Sequence, residues 1–273
     1  MALRVGLVQT RTPATHAAAL AHTLPLVRRA ADGGAELIVT PECTNILQRD
    51  RRALLPQLTA LNEDPVVSGL QEAAREAGAW VLVGSALVRR EDGKAANRSA
   101  LISPEGGIVA TYDKLHMFDV DLPTGESVRE SATYEPGDRA VAVQAGAAKL
   151  GLSICYDLRF PALYRALALA GAQVLTVPAA FTRPTGEAHW EILLRARAIE
   201  TGAFVLAAAQ GGVHEDGRGT WGHSMAVGPW GEVVAKLDHD EPGVLFADLD
   251  LAAVGKARAA VPALTNARVF AQP

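Results

Sequence analysis

The stretch whose reading decides the fold is residues 151–161, GLSICYDLRFP. A mostly apolar run climbs to Cys155, the chain turns through Tyr156 and Asp157, and Pro161 opens the segment ALYRALALAG. Proline is favoured at the first position of a helix, where its missing N–H would have no partner anyway. The segment therefore reads as a strand that gives way to a helix, with a thiol at the junction. A helix start lowers the pKa of a nearby thiol from its free value of about 8.5. Backbone N–H groups at such a turn can also receive an oxyanion. A cysteine in an apolar run is more commonly core packing, but Asp157 and Arg159 follow too closely for a purely apolar setting.

Outward from this junction, apolar runs alternate with helical patterns. Strands are predicted at LRVGLVQ (3–9), ELIVTPE (36–42) and WVLVGSALV (80–88), with helices over 16–35 and 65–79. NRSALIS (97–103) and IVATYDK (108–114) flank the turn sequence PEGG. Beyond them come a hairpin from AVAVQAG and AAKLGLSIC, a helix after Pro161, the strand QVLTVPA, the helix EAHWEILLRARAIETG and the strand FVLAAAQ. The end is strand-rich, with HSMAVGP, EVVAKLD and GVLFADLD. This order predicts an α/β fold with mixed sheets and helices on their outer faces. Residues 1–273 read as one domain, with 261–273 a poorly patterned C-terminal arm.

Composition excludes several function classes. A chain of 273 residues that is 49% hydrophobic can bury one large core. Its net charge of −4 and the absence of a basic run argue against a nucleic-acid partner. The most apolar stretch, 162–182, is broken by Arg165, Gln173 and Pro178, which argues against a membrane span. The N-terminus lacks the apolar core of a signal peptide, and the two cysteines, Cys43 and Cys155, form no disulfide framework. A cytoplasmic location is the expectation. His116, His189, His214 and His223 lack metal-ligand spacing, and no glycine-rich nucleotide loop occurs. Neither a metal nor another cofactor is expected.

Two further strand ends carry chemistry. Glu42 closes ELIVTPE at a sheet edge, where desolvation would raise its pKa toward that of a general base. Lys114 closes IVATYDK and can offer positive charge to a developing oxyanion.

Together these residues resemble a known family. TPE (40–42), YDKLHMFD (112–119) and GLSICYDLRFP (151–161) are similar to the three signature blocks of the nitrilase superfamily, the carbon–nitrogen hydrolases. The resemblance implies an αββα sandwich and a Glu–Lys–Cys triad, which falls on Glu42, Lys114 and Cys155. It also implies hydrolysis of a linear amide to acid and ammonia through a cysteine thioester, with the Tyr156 N–H and Lys114 at the oxyanion. KLHMFDVDLP and ESATYEPGD (130–138) resemble the Nit branch, whose second glutamate, sixteen residues past the lysine, falls on Glu130. Its implied role is to hold the lysine or position the substrate.

The segments at 185–201, 207–212 and 222–231 are most similar to the deaminated glutathione amidases of that branch. Omega-amidase acting on alpha-ketoglutaramate, nitrilase and N-carbamoyl amino acid hydrolase are alternatives, since the same triad serves them. A catalytically idle scaffold is the rival from another class, and the intact triad argues against it. An ammonia donor fed by glutamine would need a separate synthetase partner. Gly228 departs from the branch's usual aspartate in DPWG, and Trp221 stands where tyrosine is frequent.

Arginine recognises carboxylates through paired hydrogen bonds. Arg159, four residues beyond the nucleophile, and Arg183, in the loop FTRPTG, are the candidates to bind a carboxylate of a small amide substrate. Arg159 could instead pair with Asp157 and brace the turn. Trp190, Leu193, Leu194 and Arg197 share one helical face, with Arg197 expected to be buried with a carboxylate partner. Apolar residues on more than one face of this helix and of the helix after Pro161 predict a homodimer or larger even oligomer.

Overall fold

The computed structural model describes residues 2–121, 125 and 127–271. In chain order its first half comprises β1 (Ala2–Gln9), α1 (His16–Asp32), β2 (Leu37–Val39), α2 (Arg51–Leu54), α3 (Pro65–Ala77), β3 (Trp80–Arg89), β4 (Ala95–Ile102), β5 (Ile108–Asp113), β6 (Asp119–Asp121) and β7 (Ser127–Arg129). The second comprises β8 (Val141–Ala145), β9 (Ala148–Leu152), α4 (Pro161–Leu169), β10 (Val174–Thr176), α5 (Arg183–Thr201), β11 (Phe204–Ala207), β12 (Gly211–Val213), β13 (Gly219–Trp221), β14 (Met225–Val227), β15 (Val233–Lys236), β16 (Gly243–Asp250) and α6 (Ala252–Ala260).

Two six-stranded sheets result, ordered β16-β1-β2-β3-β4-β5 and β15-β14-β11-β10-β9-β8. Each has three parallel strands at its centre, β1-β2-β3 and β9-β10-β11. Antiparallel strands flank them on both sides. Parallel neighbours require crossover connections, which α1 and α3 supply in the first sheet and α4 and α5 in the second. The two halves thus repeat a topology without repeating a sequence.

Alternation along the strands sorts side chains into layers. Leu3, Val5 and Leu7 of β1 join Leu37, Val39 and Leu82 against Leu150, Leu152 and Leu206 of the second sheet. Val8, Ile38, Val81 and Val83 turn the other way, onto Val27 and Ala30 of α1 and Val66, Leu70 and Ala74 of α3. Tyr164 and Leu167 of α4 and Trp190 and Leu194 of α5 belong to the core of the second sheet. The order is helices, sheet, sheet, helices: the αββα sandwich.

Differences from the sequence reading gather at the strand ends. β2 stops at Val39 and β9 at Leu152, so Thr40–Glu42 and Ser153–Cys155 lie outside the ladders. Cys155 opens a single 3₁₀ turn, Cys155–Arg159, and α4 begins only at Pro161. In β3, a Cβ on Gly84 would lie 1.9 Å from the Thr40 carbonyl oxygen and 2.5 Å from Pro178 Cβ. Glycine there lets the segments leaving both sheets approach one another. α6 was not expected, because AAVGKARAA carries little apolar periodicity. Residues 261–271 form neither helix nor strand and are mostly exposed. Among the described residues, no helix is long and apolar enough to cross a membrane.

Candidate active site

The predicted triad residues come from different sheets. Glu42 lies just past β2, Lys114 directly follows β5, and Glu130 opens a short turn after β7. Cys155 comes from the second sheet, just past β9. All four line one cavity of about 360 Å³.

Lys114 is the hub. It is buried, and its ammonium donates to Glu42 Oε1 at 2.9 Å and to Glu130 Oε1 and Oε2 at 2.9 and 2.8 Å. Glu42 Oε2 accepts from the Ala180 N–H at 2.9 Å, which reaches across from the second sheet. Glu130 Oε2 also accepts from the Phe118 N–H at 2.6 Å.

The electrostatics of this cluster correct two expectations. Burial alone would raise the Glu42 pKa, but the Lys114 charge and hydrogen bonds from Cys155, Lys114 and Asn97 outweigh it, so Glu42 lies below its ordinary value. Burial, then the Glu42 charge, push the Cys155 thiol well above its ordinary value, and the Lys114 charge offsets only part of this. The thiol is therefore not lowered by a helix start, for only one 3₁₀ turn begins there. Burial would strip Lys114 of its proton, but Glu130 and Glu42 together hold its pKa well above normal. The resting site is a neutral thiol hydrogen-bonded to an anionic carboxylate beside an ammonium.

The turn that carries Cys155 is strained and braced. Cys155 has φ 49°, a left-handed backbone that side chains disfavour. Its N–H donates to the Pro178 carbonyl at 2.9 Å. Asp157, fully buried, accepts from the Ile154 N–H at 2.8 Å and the Tyr112 hydroxyl at 2.7 Å. Its other oxygen accepts from the His116 N–H at 3.1 Å and lies 2.7 Å from His116 Nδ1. One carboxylate thus ties the turn of Cys155 to residues on both sides of Lys114.

Asp157 being so occupied, Arg159 does not pair with it. The Arg159 guanidinium lies over the Phe181 and Tyr156 rings, 5.4 and 5.9 Å from their centroids, and donates to His189 Nδ1 at 3.3 Å. It lines the cavity. Arg183 is placed differently from its reading as a loop residue. It is the first residue of α5, where Pro184 suits a helix start, and its guanidinium is paired with Asp240. It is not among the residues that line the cavity. Arg197 is buried and binds the Leu158 carbonyl at 2.9 Å and Glu200 at 2.8 Å.

Residues not singled out from sequence complete the walls. Arg49, Arg51, Arg129 and Arg218 line the cavity with Arg159, whereas Glu42 and Glu130 are its only acidic lining among the described residues. Asn97 of β4 donates to Glu42 Oε1 at 2.8 Å. Scattered arginines give no local signal, because α2, β7 and the β12–β13 turn converge only in space. Cys43 touches the cavity but packs with Ile46, Leu47, Leu54 and Leu87, and burial raises its thiol pKa. No group of three His, Cys, Asp or Glu side chains among the described residues is placed to hold a metal ion.

Comparison with known proteins identifies the family. The family profile described as carbon–nitrogen hydrolase matches residues 4–259. The chain belongs to the carbon–nitrogen hydrolase family. This hydrolase is 40% identical over 240 residues to a deaminated glutathione amidase of Yersinia enterocolitica, covering 87% of this chain and 83% of that one. The human deaminated glutathione amidase is 42% identical over 252 residues, covering 89% and 75%.

Among solved structures, the Caenorhabditis elegans NitFhit protein superposes with a TM-score of 0.91 at 33% identity, covering 98% of this chain and 65% of that larger one. Yeast Nit3, of the nitrilase superfamily, gives a TM-score of 0.85 at 26% identity, covering 96% and 94%. A mutant amidase of Nesterenkonia sp. AN1, carrying the acetamide moiety of fluoroacetamide on its active-site cysteine, gives 0.81 at 28% identity, covering 97% and 94%.

The two departures from the branch pattern have local explanations in this hydrolase. A Cβ at Gly228 would lie 1.9 Å from Glu232 Oε1, and Glu232 Oε2 accepts from the Trp230 N–H at 3.1 Å. The glutamate carboxylate occupies the place and makes the kind of turn contact open to an aspartate at 228. Trp221 stacks on His223 with centroids 4.2 Å apart and packs where Gly186 has no side chain. It does not line the cavity.

Proposed function

We propose that this hydrolase cleaves a linear, carboxylate-bearing amide through a thioester on Cys155, and that its substrate is deaminated glutathione. One observation carries the reading: the Glu42 carboxylate, the Cys155 thiol and the Lys114 ammonium line a single cavity, with Lys114 donating to Glu42 Oε1 at 2.9 Å. Glu42 takes the thiol proton as Sγ attacks the amide carbonyl. A Lys114 N–H and the Tyr156 N–H receive the oxyanion. Glu42 then hands its proton to the leaving nitrogen, the C–N bond breaks, and an acyl thioester remains on Cys155. Water, deprotonated by Glu42, attacks the thioester, and the carboxylic acid leaves as Sγ regains its proton. Glu130 keeps Lys114 charged and oriented throughout.

The substrate assignment rests on the relatives and on the cavity's charge. Five arginines and a lysine line the cavity with two glutamates. Arg129 and Arg218 are paired with Asp121 and Asp216, and Lys114 with the glutamates. Among the described residues the Arg159 guanidinium meets only the Phe181 and Tyr156 rings and His189, which favours an anionic ligand at Arg159. Deaminated glutathione carries two carboxylates, and the amide joining its oxoglutaryl group to cysteinylglycine is linear. For that substrate the leaving group is the amine of cysteinylglycine; alpha-ketoglutaramate would instead release ammonia. The test is a mass-spectrometric product screen over deaminated glutathione, alpha-ketoglutaramate, glutamine, simple nitriles and N-carbamoyl amino acids. Highest kcat/KM on deaminated glutathione is expected. Preference for any other compound would displace this assignment.

The same reading includes a homodimer in a reducing, cytoplasmic compartment. Support comes from two free thiols and from Leu169, Ile192, Ile199 and Trp230, apolar side chains that are all exposed on one chain.

A further inference from the structure

An ammonium has three N–H groups, and the resting site uses all of those on Lys114. They are directed to Glu42 Oε1, Glu130 Oε1 and Glu130 Oε2. A tetrahedral intermediate on Cys155 requires one of them. When Lys114 turns an N–H to the oxyanion, one of the Glu42 or Glu130 oxygens it holds loses a donor, while the negative charge passes from Glu42, which takes the thiol proton, to the oxyanion. The oxygen left behind is a buried acceptor, and leaving such a group without a partner is costly, so a replacement donor is needed.

Asn97 stands where that donor must be. Its Nδ2 is 2.8 Å from Glu42 Oε1 and 3.3 Å from Glu130 Oε1, two of the three oxygens that Lys114 holds. Its two amide hydrogens allow one bond to each carboxylate. The amide cannot profitably be reversed, since its carbonyl oxygen would then face carboxylate oxygens. The main chain sets the placement: the Asn97 carbonyl accepts from the Lys114 N–H at 3.0 Å, extending the β4–β5 ladder. At the far end Asn97 Oδ1 is buried with no hydrogen-bond partner. Buried polar atoms are rarely left so. Keeping an orphaned acceptor is understandable if the donor end of the same amide is indispensable.

We propose that Asn97 is a positioning residue that holds Glu42 and Glu130 in place while Lys114 transfers one N–H to the oxyanion. The proposal rests on the role given to Lys114 under the proposed function and extends it to a residue outside the triad. As a neutral donor, Asn97 does this without adding charge to the cluster.

The test replaces Asn97 by leucine, which is similar in size and donates nothing. Asn97→Leu should lower kcat about a hundredfold, the scale of losing one preorganised donor, with KM little changed. A second readout needs no natural substrate: the rate at which iodoacetamide alkylates Cys155 as a function of pH. Without the Asn97 donor the Glu42 anion is less stabilised, so the acid limb of that profile should move to higher pH. If no amide in the screen is turned over by the wild type, the substrate assignment fails and the alkylation profile still tests Asn97. Should the leucine variant not fold, Asn97→Ser retains one hydroxyl donor and should give a smaller loss of the same kind. Wild-type kcat and a wild-type alkylation profile in either folded variant would overturn the proposal. So would a lowered melting temperature with both readouts unchanged.

Discussion

The side-chain amide of Gln210 donates to the main-chain carbonyl of Glu42 at 2.8 Å, joining the second sheet's side of the site to the first. The same amide donates to Thr12 Oγ1 at 2.7 Å, and its oxygen accepts from the Thr10 hydroxyl and the Thr12 N–H, both at 3.0 Å. Gln210 is fully buried. Glu42 and Cys155 belong to different sheets, and buried polar bonds of this kind, rather than apolar packing alone, hold them in register.

Cys155 is expected to be the nucleophile and Cys43 not. Both thiols touch the cavity, but only Cys155 is hydrogen-bonded to Glu42 and beside Lys114. Cys155→Ala should abolish turnover with the fold retained, and Cys43→Ala should keep most activity. Intact-mass detection of an acyl adduct on Cys43 would reverse the assignment.

Glu130 is expected to act through Lys114. Glu130→Gln keeps an acceptor for the Phe118 N–H but removes the charge nearest the ammonium. Turnover should fall by roughly a hundredfold or more, with little change in melting temperature. Near-normal kcat in this variant would remove Glu130 from the machinery.

His214 should make the fold acid-sensitive. It is buried between Thr12 and Thr220, and desolvation lowers its pKa from 6.5 to about 4. Between those values the unfolded chain binds a proton that the folded chain refuses, so stability falls as pH drops from 6.5 to about 4. The loss is on the order of 3 kcal/mol. Glu42, whose pKa is depressed, adds a further loss as pH falls below its ordinary 4.5. Denaturant unfolding from pH 7 to pH 4 should show a shallower decline in His214→Gln than in the wild type. Parallel curves would rule out this contribution.

Arg159 and Arg183 should separate in kinetics. Arg159 faces the cavity, so Arg159→Ala should raise KM for carboxylate-bearing amides more than for neutral amides of similar length. Arg183 is engaged by Asp240, so Arg183→Ala should leave that discrimination unchanged. Equal losses on charged and neutral amides in Arg159→Ala would exclude carboxylate recognition there.

Light scattering should give at least twice the chain mass of 28.7 kDa across the micromolar range. Ile192→Glu and Ile199→Glu, on the exposed side of α5, should lower it. A stable monomer mass in the wild type would contradict the dimer.

Much of the fold was legible along the chain, because β-strand alternation and helical periodicity are local properties. The repeated strand–helix order is what separates the two sheets, and the apolar runs ending in Glu42, Lys114 and Cys155 marked the sheet edges where side chains converge. The resemblance to the Nit branch also pointed to Glu130, which the structure brings to Lys114. Other features depended on contacts between distant segments. The thiol's raised pKa comes from burial and from Glu42, more than a hundred residues away in the sequence, and not from a helix start beside it. Arg183 looked free in a Pro- and Gly-flanked loop until Asp240, on the far side of β15, claimed it. Asn97 read as an ordinary strand residue, since nothing near it in sequence shows that its amide meets two carboxylates. Local patterning determined the layers and the strand ends; charge, burial and hydrogen-bond partners were decided only when the two sheets packed face to face.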